Sequence, residues 1–143
     1  MKKKCFLSIL FAGIILSVFS QQNTSKNIML EIHGVTPNVG KLYGGVYFSS
    51  QTYRIKIPDI LLEYEPMGTI VIQNITLPLG ECLINFYQDL DNNGECNVGL
   101  FGMPKEPVGI VNWNGKGIPG NFNKLRLLVT ETTDKIVVVL YNV

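Results

Sequence analysis

Cys82-Leu83-Ile84-Asn85-Phe86-Tyr87-Gln88-Asp89-Leu90-Asp91-Asn92-Asn93-Gly94 joins two kinds of order in one unbroken stretch. Its first half alternates: Cys82, Ile84 and Phe86 fall on one side, Leu83, Asn85 and Tyr87 on the other. A period of two with aromatic and branched side chains is the mark of a β-strand that buries one face. Its second half crowds oxygen-bearing side chains around a glycine, which is turn chemistry.

The alternation extends outward in both directions. Ile28, Leu30 and Ile32 alternate with Met29, Glu31 and His33, and Leu42, Gly44, Val46 and Phe48 alternate with Tyr43, Gly45 and Tyr47. Ile70 and Ile72 stand opposite Val71 and Gln73, Leu125, Leu127 and Val129 follow Phe122, and Ile136 to Tyr141 is almost continuously apolar. Turn signals separate these runs: Thr36-Pro37-Asn38, Leu77-Pro78-Leu79-Gly80, Asn92-Asn93-Gly94, Asn114-Gly115 and Pro119-Gly120-Asn121. No stretch carries a capped stripe of helical period. The ambiguous region is Ile57 to Glu65, where Pro58-Asp59 can start a short helix through Ile60, Leu61 and Leu62. The expected fold is all-β: a single β-sandwich of about seven strands. The stretch from Asp89 to Asn123, rich in Asn, Gly and Pro, forms one long loop region, and such loops on a rigid scaffold tend to carry function.

The N-terminus reads as an address. Lys2, Lys3 and Lys4 precede an uncharged run from Phe6 to Phe19, too short for a bilayer core that needs roughly 20 residues. Val18-Phe19-Ser20 then offers a cleavage site. Residues 1–20 are expected to be a signal peptide and residues 21–143 a single exported domain, periplasmic or secreted, with no membrane span after processing. Cys5 precedes the apolar run, where a lipoprotein would need a cysteine after it. Losing the leader leaves 9 basic against 11 acidic residues and moves the formal charge from +1 to −2. No basic face remains to suggest a nucleic-acid partner. Cys82 and Cys96 survive processing. Export permits a bridge between them, but a hairpin running directly back along Cys82 would place Phe101, not Cys96, opposite it. The alternative is two small buried apolar residues.

The loop offers the sharpest chemistry. Asp89, Asp91 and Asn93 occupy positions 1, 3 and 5 of a calcium loop, Gly94 the sixth, the Glu95 carbonyl the seventh and Asn97 the ninth. Position 12 is Leu100, where a bidentate Glu belongs, and no helix flanks the loop, so this is no EF-hand. Calcium binding then needs Glu106 or another distant oxygen. The alternative is a turn whose Asx side chains bond its own backbone. The candidate metal ligands are Asp89, Asp91, Asn93, Glu95, Asn97 and Glu106.

Phe86 to Gly94, Gly102-Met103-Pro104-Lys105-Glu106 and Gly109, with the Leu77-Pro78-Leu79-Gly80 turn and the late Phe122, resemble the bacterial domain-of-unknown-function family 2141. The likeness is good from Thr69 to Val129 and weaker before about residue 68. Gln88 stands where the family often has His, and Asn97 where it often has Asp, which lowers the charge available to calcium. The resemblance implies export and an immunoglobulin-like or transthyretin-like sandwich. It implies no activity.

Enzyme chemistry finds little support. His33 is the single histidine, no Gly-x-Ser-x-Gly elbow occurs, and Cys82, Cys96 and His33 lack zinc spacing. A small hydrolase built on a carboxylate pair is the weakest alternative. The leading expectation is a non-catalytic binding or structural domain with an unknown protein or carbohydrate partner, without a cofactor other than calcium. Tyr43, Tyr47, Tyr53, Trp113 and Phe122 are possible platforms for a ligand, and Trp113, set in the long loop, is the foremost ligand-binding residue. The alternative is an envelope-associated protein that pairs through an edge strand or its apolar C-terminal run.

Overall fold

The first apolar stripe, Ile28, Leu30 and Ile32, is buried on one face of strand β1 (Ser25–His33). The computed structural model describes residues 24–143, so the expected signal peptide and cleavage site lie outside the described residues. The chain continues through β2 (Lys41–Tyr47), α1 (Ser50–Ile55), β3 (Ile60–Tyr64), β4 (Ile70–Pro78) and β5 (Gly80–Asp89). A single 3-10 turn at Leu100–Gly102 interrupts the long loop, and β6 (Val108–Ile110), α2 (Phe122–Leu125), β7 (Leu127–Val129) and β8 (Lys135–Val139) follow.

These strands form two sheets. One has three strands in the order β4-β1-β8, with β1 antiparallel to β4 and parallel to β8. The other runs β3-β2-β5-β6, with β7 paired to the start of β5. The two apolar faces meet in one core: Leu30, Val71 and Val138 come from the first sheet, Leu42, Ile84 and Phe86 from the second. Gly44 makes room for the Phe86 ring, since a Cβ there would come within 2.3 Å of it. The chain changes sheets at Leu79, where Pro78 closes β4 and Gly80, at φ +128°, opens β5. Past β8, the Tyr141 N–H donates to Val108 O at 2.8 Å and the Tyr141 carbonyl accepts the Val108 N–H in return at 3.0 Å, so Tyr141 ties the two sheets together. The expected sandwich-like architecture therefore holds at the level of two stacked sheets, with eight strands and two short helices among the described residues.

Two local expectations are corrected. The helix lies at Ser50–Ile55, and Ile60–Tyr64 is an edge strand paired with β2. The strand returning along β5 is β6, with Tyr87 opposite Val108, while Cys82 faces Leu127 of β7. Of the two readings of the cysteines the unbridged one holds: Cys82 and Cys96 are both free thiols, Cys82 buried and Cys96 half-buried. Among the described residues no helix is long and apolar enough to cross a membrane.

Candidate functional site

The long loop begins where β5 stops alternating. Gln88 and Asp89, its last two residues, are polar yet have no solvent exposure. The Gln88 amide nitrogen donates to the carbonyls of Thr36 and Val39, both at 2.7 Å, and its oxygen accepts the Thr36 N–H at 2.8 Å. This pins the β1–β2 turn beneath the loop. Gly40, at φ +64°, then crosses the Asp89 carbonyl so closely that a Cβ would fall 1.7 Å from its oxygen. Sequence reasoning missed Gln88. It stands in a strand-end position, and nothing local reveals its partners on another turn.

On this base the chain folds around two carboxylates. Asp89 Oδ1 accepts the Asn93 N–H at 3.2 Å and Oδ2 the Gly94 N–H at 2.7 Å. Glu106, buried on the return arm, accepts the Leu90 N–H on Oε1 and the Asn97 N–H on Oε2, each at 2.9 Å. The Lys105 N–H donates to Asn97 O, and Val98 bridges Pro104, so the loop carries its own small antiparallel turn that delivers Glu106. Asp91 is exposed and accepts from the Asn93 backbone, the Asn93 amide and the Asn97 amide. One oxygen from each of Asp89, Asp91 and Glu106 lies within 4.8 Å of the others, a cluster that could hold a metal ion.

The remaining expected ligands are less direct. Asn93 and Asn97 sit around Asp91, joined to each other at 3.0 Å. Glu95 is exposed, its N–H donates to Asn93 Oδ1, and its carboxylate is not one of the converging groups. Trp113 belongs elsewhere. Its half-buried ring meets Tyr141 edge-on at 5.8 Å and packs against the core, and its Nε1–H donates to Lys116 O.

The electrostatics follow from this arrangement. Loss of solvent pushes the Asp89 carboxyl up, but the Gly94 amide, the Asp91 side chain and the Asn93 and Asn92 amides together outweigh it and hold the group below the usual carboxylate range. The neighbours feel the resulting charge. Burial, reinforced by Asp89 and then by Cys96, Tyr43 and Glu106, pushes the Tyr87 phenol up to about 12. Burial, then Glu106 and Asp89, also raises the Cys96 thiol.

A two-sheet β-protein whose long loop returns a glutamate onto the aspartates at a strand end is the class this geometry defines. The chain belongs to the DUF2141 family, described as an uncharacterised protein conserved in bacteria, whose model matches residues 30–137. No curated protein and no solved structure gives a significant match.

Proposed function

We propose that the chain is an exported, non-catalytic binding or structural domain whose Asp89–Glu95 loop, completed by Glu106, holds calcium. One observation carries the ion: three carboxylates converge, two of them buried, and no ion pair among the described residues reaches any of them. Buried charge is normally paired or bound to a metal. Calcium wants six to eight oxygens. Each oxygen of Glu106 accepts a single loop N–H, and Asp89 accepts those of Asn93 and Gly94 with the Asn92 amide also bearing on it, while a carboxylate has about four lone-pair sites. Glu106 thus supplies the acid that position 12 lacks. Asn97 turns its amide nitrogen toward Asp91, and a half-turn about its last bond would present oxygen instead.

Export rests on the basic, apolar leader. Of the two sandwich types, the strand order favours the transthyretin-like one. An immunoglobulin constant domain keeps its first two strands in sheet partnerships that leave strands C, F and G apart, whereas here β2 and β3 share the sheet of β5 and β6.

Thermal melts of the protein with calcium and with chelator test the ion. Sites of this kind bind at about 0.1–1 mM, and calcium at about 100 times its dissociation constant stabilises by about 2.7 kcal/mol. Asp89→Ala combined with Asp91→Ala should abolish the shift. Identical midpoints at millimolar calcium would remove the ion from the reading.

A further inference from the structure

The outer face of the five-stranded sheet carries a groove of about 830 Å³, walled by α1 on one side and the start of α2 on the other. Its floor follows from strand parity. Asn85 and Tyr87 of β5 point away from the core side taken by Ile84 and Phe86, and their register partners Ile110 and Val108 share that outer face. Tyr53 of α1 meets Tyr47 edge-on at 5.3 Å. The groove is thus aromatic and apolar in its floor, with side-chain amides around it, and its volume falls in the range that takes one small ligand.

The charges that line it are all positive, while the Asp89 and Glu106 carboxylates that bear on Tyr87 and Cys96 stand outside its lining. Arg54 and Lys56 line it, and no Asp or Glu among the described lining residues does. Both cations are exposed, and neither makes an ion pair with a described residue. In a chain whose processed form carries more acid than base, an unneutralised pair of cations over an apolar floor is complementary to an anion. The floor offers little backbone edge to a peptide, because β5 is paired on both sides by β2 and β6, and the outer side of the three-residue β6 is bridged at Val108 by Tyr141. Asn85 and Asn123 already use their oxygens to accept the Gly45 N–H and the Arg126 guanidinium and keep their NH2 donors, and Gln51 adds both a donor and an acceptor, which suits neighbouring hydroxyls.

We propose that this groove binds an acidic oligosaccharide, with sugar rings against Tyr53 and Tyr87, hydroxyls on the amides, and a carboxylate at Arg54 and Lys56. The proposal rests on the reading of the chain as a binding domain, but not on calcium, so its failure leaves the melts of the preceding section standing.

The test is calorimetric titration of the protein with uronic-acid and sialic-acid trisaccharides, their neutral methyl esters, and a polyglutamate peptide. At least one acid should bind saturably, and its ester should bind about tenfold more weakly, the loss of one charge-assisted contact. Arg54→Gln with Lys56→Gln should bring the acid down to the ester's affinity while leaving the melting temperature unchanged, since both side chains are exposed. Tyr53→Ala should weaken acid and ester alike. Absence of binding by every sugar, equal affinity for acid and ester, binding unaffected by the double substitution, or binding of the peptide alone would each overturn it.

Discussion

Strand β5 is held by two different kinds of force along its length. At Ile84 and Phe86 it is clamped between sheets by apolar burial. At Gln88 and Asp89 it is just as thoroughly excluded from water, yet what fixes it is a set of amide-to-oxygen bonds. The first half answers to side-chain volume, because burial free energy scales with apolar area and is indifferent to protons and ions. The second half answers to charge, because its carboxylates organise the backbone around them. Perturbations should therefore separate the two halves cleanly.

The largest effect is expected at the apolar end. Phe86 is 2% exposed, lies over Gly44 and stacks near Tyr64. Phe86→Ala leaves a cavity that a glycine neighbour cannot fill, and should cost about 4 kcal/mol in denaturant unfolding. Calcium should recover none of it. A loss under about 1 kcal/mol would mean the sheets can collapse onto the gap, and the contrast between the halves would weaken.

Glu106→Ala comes next and probes the polar end. It removes the acceptor of both the Leu90 and the Asn97 N–H. Leaving these part-buried donors unmet should cost about 1 kcal/mol, the low end of the range for buried groups. Unlike the Phe86 variant, it should also lose any response to calcium. A Glu106→Ala protein that still shifts in calcium would place the ion elsewhere in the loop.

The halves also differ in how much of them can be read from the chain. The apolar half follows from alternation alone: Leu30, Leu42, Ile84 and Val138 are buried where the period of two puts them. The acidic half was legible as chemistry, since Asp89, Asp91 and Glu106 stand out as candidate ligands, but its construction was not. Val98 and Pro104 make a small turn inside the loop, so the strand that returns along β5 starts only at Val108. Counting residues from Gly94 cannot show that. The misplaced helix has a similar cause. Asp59, which looks like a cap for residues after it, turns back to accept the Phe48 N–H and the Thr52 hydroxyl. Ser49 caps α1 instead, accepting the Thr52 N–H at 3.1 Å, and Ile60–Tyr64 is left to pair along the sheet edge. The groove gives no sequence signal at all, because Arg54, Asn85 and Asn123 meet only through the fold.

The finest separation is by pH, and the two signs are opposite. Asp89 is held below its ordinary value of 3.8 in the folded chain. The unfolded chain therefore takes up a proton first on acidification, so Asp89 stabilises the fold above that value and its contribution disappears as pH falls below it. Melts of the protein and of Asp89→Asn should differ most near neutrality and converge in acid. Tyr87 behaves in reverse. Its phenol, raised from 10.0 to about 12 by burial and by the charges of Asp89, Cys96, Tyr43 and Glu106, favours the fold while neutral. That contribution is complete below pH 10 and is lost as pH climbs toward 12. The Tyr87 hydroxyl donates to Gly94 O, so its ionisation also removes a bond from the acidic loop. The phenolate absorbance of the protein minus that of Tyr87→Phe isolates this one group. Asp89→Asn should draw its titration down, because the largest of the raising charges is gone, and Glu106→Ala should do so less, burial being the main cause of the rise, while Phe86→Ala leaves those charges in place. A Tyr87 titration that ignores Asp89 would show that the loop's charge does not reach the strand supporting it.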